Sequence, residues 1–172
     1  MKKLLVLLIS VTLMSCEGPQ GPPGFNGVNI LGSVFETVVT FSPANGYSTL
    51  VPFPNSIEVF ESDVVIVYLL EEQLNDPSGA IDVWTPLPAT FFLNDGLQVV
   101  YNFNHTFLDV NLFLDGNVNL DTLGSGFTNN QVFRIAVLPA DFAENFDINL
   151  MNFSEVMQAL QTQNPDFQVK SL

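Results

Sequence analysis

Ala89-Thr90-Phe91-Phe92-Leu93-Asn94-Asp95-Gly96-Leu97-Gln98-Val99-Val100-Tyr101-Asn102-Phe103 is the stretch whose reading decides the fold. Two short runs rich in β-branched and aromatic residues flank Asp95-Gly96, and Asp-Gly supplies the positive-φ positions that a tight hairpin turn requires. Alternation then puts Val99, Tyr101 and Phe103 on one face of the second strand, with Val100, Asn102 and Asn104 on the other. A period of two residues, bounded by turn residues, is the pattern of a half-buried strand in an antiparallel sheet.

The same texture extends in both directions. Downstream, Phe107 to Leu114 alternates with Leu108, Val110, Leu112 and Leu114 on one side and stops at a second Asp-Gly, Asp115-Gly116. Gln131 to Leu138 forms a further strand closed by Pro139. Upstream, Val34 to Phe41 is a strand ended by Ser42-Pro43-Ala44-Asn45-Gly46, and Tyr47 to Phe53 is extended and edge-like because Pro52 and Pro54 cannot donate to a central ladder. Asp63 to Glu71 is apolar on both parities, as in a strand covered on both faces, and ends at Asn75-Asp76-Pro77-Ser78-Gly79. Helical periodicity comes late. Pro139 to Ala143 suits a single turn, and Ser154 to Gln161 forms a short amphipathic helix capped by Ser154 or Asn152, with Val156, Met157 and Leu160 as its buried stripe. The sum is an all-β chain, an immunoglobulin-like or jelly-roll β-sandwich with a short C-terminal helix.

The first sixteen residues follow a different logic. Lys2 and Lys3 precede an apolar run from Leu4 to Leu13, and Leu13-Met14-Ser15-Cys16 has the Leu-x-small-Cys form of a bacterial lipobox. The run is shorter than the roughly 20 apolar residues of a permanent membrane span. An ordinary secretory signal is the competing reading, but its cleavage site wants small residues at two positions, and Cys16 is the single cysteine of the chain. The expected layout is a lipoprotein signal peptide over 1–15, a lipidated Cys16 opening a Gly/Pro-rich spacer over 16–32, and a sandwich domain over 33–172. With one cysteine, no intramolecular disulfide can form.

In that spacer, glycine recurs at positions 18, 21, 24 and 27 with prolines between, the collagen period. Three triplets are too short for a stable triple helix, so a polyproline-II spacer that lifts the domain by roughly 30 Å is preferred to a trimer stem. The chain has 172 residues and a formal net charge of −14. Loss of the signal leaves Arg134 and Lys170 against 18 acidic side chains. Nucleic acid is excluded as a partner, because phosphate binding rests on Lys and Arg. Anionic lipid headgroups are repelled for the same reason, so membrane attachment falls to the acyl chains on Cys16.

Catalytic chemistry has few places to reside. His105 is the one histidine, with Asp109 four residues on, but no Ser or Cys nucleophile stands beside it and no Gly-x-Ser-x-Gly elbow is present. Gly124-Ser125-Gly126 reads as a loop hinge. Glu71 and Glu72 are strand neighbours that point to opposite faces, and Glu58, Glu61 and Asp63 flank a strand start, so no carboxylate pair for glycoside hydrolysis is indicated. No Gly-x-Gly-x-x-Gly or P-loop cradles a nucleotide cofactor. Asp115, Asn117, Asn119 and Asp121 place oxygen side chains at alternating positions, like the first part of a calcium loop. Leu120 stands where that loop turns on Gly, and Gly126 where it closes on Glu, so a self-bonded polar loop is the competing reading. Trp84, beside Pro86 and Pro88, is either a core tryptophan or part of an aromatic platform for glycan or peptide.

The lipobox ending in Ser15-Cys16, the Glu-Gly-Pro-Gln-Gly-Pro-Pro-Gly juncture at 17–24, and the core stretches at 60–65, 82–84 and 133–142 together resemble small outer-membrane lipoproteins of Bacteroidota-type bacteria. The resemblance implies an outer-membrane location and no catalytic residue. Proteins of this kind sometimes carry the name dihydrolipoamide dehydrogenase, an activity that needs dinucleotide-binding glycines and a redox cysteine pair; this chain has neither. The function expected is a lipid-anchored, non-enzymatic envelope module for binding or assembly, with an envelope protein or glycan as partner. The rivals are a calcium- or glycan-binding surface accessory protein and, more distantly, an envelope hydrolase.

Overall fold

The computed structural model describes residues 32–140, 142, 148–164 and 167–171. The signal peptide, Cys16 and all of the spacer except Gly32 lie outside the described residues. Among the described residues, nine strands form two sheets, and the helices and turns named below are likewise those of the described residues. In chain order these are β1 (Ser33–Val39), β2 (Ser48–Pro52), β3 (Val64–Asp76), β4 (Gly79–Pro86), β5 (Ala89–Phe92), β6 (Gln98–His105), β7 (Asp109–Gly116), β8 (Gln131–Leu138) and β9 (Lys170–Ser171). One sheet runs β4-β3-β8-β1-β9 and the other β2-β7-β6-β5. All pairings are antiparallel except the short β9, which lies parallel to β1. Two helices are added, α1 (Ser125–Thr128) and α2 (Phe153–Gln163).

The sandwich expected from alternation is what the chain forms, and the deciding hairpin is where the sequence places it. Asp95 and Gly96 both have positive φ (60° and 73°), and the Leu97 N–H donates to Asn94 O at 3.2 Å. That is the mirror-image turn whose twist matches its flanking strands. Val99 and Tyr101 from β6, and Val110, Leu112 and Leu114 from β7, point into the space between the sheets and meet Phe35, Val65, Val67, Leu69, Phe133 and Ile135. Leu108 departs from expectation: β7 begins one residue later, and Leu108 is 63% exposed.

The first sheet is covered on its other face too. Val34, Ile66, Tyr68, Ala136 and Leu138 pack under Val156, Met157, Ala159 and Leu160 of α2. This accounts for the both-parity apolar run in β3, since Val65, Val67 and Leu69 serve one core while Ile66 and Tyr68 serve the other. Asn152 is the cap of α2, its side chain accepting from the N–H groups of Ser154 and Glu155. Of the expected turn after Pro139, the described part is Phe142, whose N–H donates to Pro139 O at 2.9 Å.

Three further features have clear causes, and two of them, at Gly124-Ser125-Gly126 and at the end of β3, differ from the sequence reading. Gly124-Ser125-Gly126 opens the one-turn helix α1, whose Phe127 packs against the inner core. Gly79 to Pro86 is a strand, the edge reading of the two, edge or loop, that the neighbouring prolines leave open. It lies at a sheet edge with Pro86 as its last residue, a position at which proline breaks no ladder. Finally, β3 does not stop at Glu71. A β-bulge between Leu70 and Glu72 lets it continue to Asp76.

Each tyrosine hydroxyl is tied to a distant part of the chain. Tyr68 donates to Leu150 O (2.9 Å), Tyr101 to Phe127 O (2.7 Å) and Tyr47 to an Asp121 carboxylate oxygen (2.7 Å). Burial pushes Tyr68 and Tyr101 well above the ordinary phenol range. The hydrogen bond to Asp121, then burial and that carboxylate's charge, push Tyr47 up from 10.0 to about 12. A phenol is neutral while protonated, so a raised pKa means that the folded chain keeps protons the unfolded chain sheds. These contributions are fully present below pH 10 and, for Tyr47, are lost as pH rises from 10 to about 12. Thermal melts across that range should fall steeply in wild type, with tyrosinate absorbance rising together with unfolding. Tyr47→Phe should be less stable at neutral pH and show a shallower alkaline decline.

Candidate functional site

The calcium-like segment follows β7. Gly116 has φ 144°, and a Cβ there would sit 2.2 Å from Gln98 O, so only glycine lets the end of β7 lie this close to β6. Asp115 Oδ1 accepts the Gly116 N–H at 2.7 Å. Asn117 bridges to the neighbouring hairpin, its Oδ1 accepting the Gln98 N–H (2.6 Å) and its Nδ2 donating to Gly96 O (3.2 Å). Asn119 Oδ1 accepts the Asp121 N–H and caps a 3-10 turn over Leu120–Thr122. Asp121 receives the Tyr47 hydroxyl. Each of the four side chains thus has its own task in holding the sandwich end. Among the described residues, no group of three or more His, Cys, Asp and Glu side chains is arranged to hold a metal ion.

His105 ends β6, and the loop after it is organised by Thr106. The Thr106 hydroxyl donates to Asp109 Oδ1 (2.9 Å) and accepts the N–H groups of Leu108 (3.0 Å) and Asp109 (3.3 Å). Asp109 therefore orients Thr106, whereas His105 stacks on Phe103 and has Nδ1 3.2 Å from Thr106 O. The base-and-orienting-acid relation that a triad needs is not assembled at His105 and Asp109. With Phe60, Glu61, Thr106 and Phe107, His105 lines a half-open cleft of about 240 Å³.

Two of the candidate carboxylates have structural partners. Asp63 accepts the Phe60 N–H at 3.0 Å and closes the turn before β3, and Glu71 at the bulge accepts the Thr85 hydroxyl. Trp84 belongs to a packed cluster rather than to an open platform. Its ring stacks on Phe153, with centroids 5.5 Å apart and planes at 24°, and Phe153 meets Tyr68 edge-on at 5.1 Å.

Over these rings lies Arg134, the one arginine of the chain. Its guanidinium carbon is 4.0 Å from the Trp84 centroid and 5.0 Å from that of Phe153. Arg134 pairs with Glu36 across β8 and β1, with Nε 2.8 Å from Oε1 and a second contact from Nη2 to the same oxygen. The group is held in a half-buried site where charge, stacking and hydrogen bonds act together. Sequence reasoning did not single it out, and the available signal was a lone cation in an otherwise apolar strand.

This cluster joins β1, β8 and β4 to the start of α2. Arg134→Met should lower stability by about 2–3 kcal/mol, since Glu36 loses its partner and both rings lose their cation. Arg134→Lys should recover little of this, because an ammonium can neither fork onto the carboxylate nor stack on two rings. Trp84 is the single tryptophan, so its emission should shift to the red in both variants; unchanged emission and melting would remove the cluster from any role in seating α2.

Compared with known proteins, the chain matches no family model, no curated protein and no solved structure.

Proposed function

We propose that this chain is a lipid-anchored, non-enzymatic module of a bacterial outer membrane, in which the sandwich serves binding or assembly. The observation that carries the reading is Leu13-Met14-Ser15-Cys16 behind two lysines and an apolar run, followed by a Gly/Pro spacer and a sandwich whose first strand opens at Ser33. The acyl chains on Cys16 supply attachment that an acidic domain lacks on its own, and one chain alone binds only marginally, so more than one is required. The Asp109 carboxylate is engaged by the Thr106 hydroxyl and not by His105, which supports a binding role over a hydrolytic one.

Metabolic labelling with a clickable fatty acid should mark the wild-type chain, and a Cys16→Ser variant should lose the label and leave the membrane fraction. An unlabelled wild-type chain, or a variant that stays membrane-bound, would defeat the reading.

A further inference from the structure

The β3–β4 hairpin outgrows the body of the sandwich. Ser33 pairs with Val137 and Val64 with Leu138, so the starts of β1 and β3 lie at one end of the first sheet. From that end β3 runs alongside β8 as far as the Leu69–Phe133 pair, then continues with β4 alone through Glu72–Val83, Leu74–Ile81 and Asp76–Gly79. At about 3.3 Å per residue, Glu71 to Asp76 extends roughly 20 Å. Every residue from Glu71 to Asp82 is exposed, on both faces of the ribbon.

An isolated two-stranded ribbon is marginal in water, and here the base and tip carry specific supports. Thr85 bonds Glu71 at the bulge, Gln73 Nε2 donates to Asp82 Oδ1 at 2.8 Å, and Asp76 accepts the N–H and hydroxyl of Ser78 in the turn. Leu74 and Ile81 face each other on one side, 44% and 51% exposed. Strand β4 is the last of its sheet, so among the described residues its outer edge pairs with nothing. Neither lysine nor an internal proline, two of the devices that blunt such an edge, occurs between Gly79 and Thr85.

We propose that this arm is a docking element whose outer β4 edge, Gly79–Thr85, receives an extended basic segment of a partner protein as an added strand. Main-chain pairing along β4 supplies the register, and Leu74 and Ile81 supply apolar contact. Charge decides the partner. Glu71, Glu72, Asp76 and Asp82 stand on the arm with no Lys or Arg among residues 71–86, so a second copy of the chain would set like charges against each other while a cationic strand is attracted. The proposal rests on the anchored reading only for orientation: a chain tethered through the residues before Ser33 carries the arm at the end of the sheet away from the tether.

The test uses the full-length acylated chain in neutral detergent micelles and two synthetic peptides, one alternating Lys and Val, the other Glu and Val. Hydrogen exchange at residues 79–85 should slow about tenfold with the basic peptide near ten times its Kd, and should not change with the acidic one. Raising salt should weaken the protection. The variant Glu72→Lys changes an exposed side chain to which none of these supports is assigned, so its melting should match wild type, and its preference for the basic peptide over the acidic one should fall. The proposal is overturned if the basic peptide leaves β4 exchange unchanged, if both peptides protect equally, or if β4 becomes protected with rising protein concentration alone, which would make the partner a second copy. Fatty-acid labelling reads separately: if it fails while β4 is still protected, the docking edge stands and only its orientation is lost.

Discussion

The constraint on which the structure depends is that the central strands of the first sheet are apolar on both faces. A sheet of this kind must be covered twice, and each exposed large side chain left uncovered would cost about 1.5–3 kcal/mol. The second sheet covers one face through Phe35, Val67, Leu69, Phe133 and Ile135. The other face needs a different cover, and the eleven-residue α2 supplies it with Val156, Met157, Ala159 and Leu160. The C-terminal helix is therefore half of what makes β1, β3 and β8 stable where they are. Without it, Tyr68, Ile66 and Leu138 would face water, on a chain with no disulfide to hold the rest together.

Much of this was legible in the sequence because it depends on local periodicity. Alternation located β6 and β7, an apolar run closed by Pro139 located β8, Asp95-Gly96 located the tight turn, and a cap at Ser154 or Asn152 with the Val156-Met157-Leu160 stripe located α2. Double-sided burial of β3 was readable from its unbroken apolar run. What could not be read was set by partners distant in sequence. Nothing local says that Gly79 to Pro86 pairs with the far half of β3, because Pro86 and Pro88 leave an edge strand and a loop both open, and only the long register with β3 decides for the strand. The candidate calcium side chains show the same limit. Their spacing left a shared ion and a self-bonded polar loop both open, and it could not show that Tyr47, Gln98 and Gly96, far along the chain, bond Asp121 and Asn117. For Trp84, the choice between core and platform turned on Phe153 and Arg134, some 50 to 70 residues away.

Electrostatics and packing meet at Arg134. In a chain with 18 acidic side chains and four basic ones, placing an arginine in a half-buried strand position needs justification, since desolvating a charge is costly unless it is paired and hydrogen-bonded. Glu36 provides the pair, and the faces of Trp84 and Phe153 replace much of the lost water. A hydrophobic substitute of similar length would satisfy the volume but not the geometry. The guanidinium specifies one arrangement of rings, and with it one seating of the first turn of α2 on the sheet.

The same cluster fixes how the projecting hairpin leaves the body. Strand β4 changes character within its length: Gly79 to Asp82 are exposed, whereas Val83 to Pro86 are half-buried. Trp84 lies at that change, stacked on Phe153 with Arg134 over both rings, and Thr85 beside it is bonded to Glu71 at the bulge. The ribbon is thus held at its root by aromatic stacking on one strand and a side-chain hydrogen bond across to the other. A bulge increases local twist and redirects a strand, so the direction of the arm is set at this root. A docking edge gains from such a root, because ordering a loose ribbon on binding would consume part of the affinity that the added strand provides. Core and arm are coupled through β4: a change that loosens Trp84 weakens the seating of α2 and also frees the base from which the edge is presented.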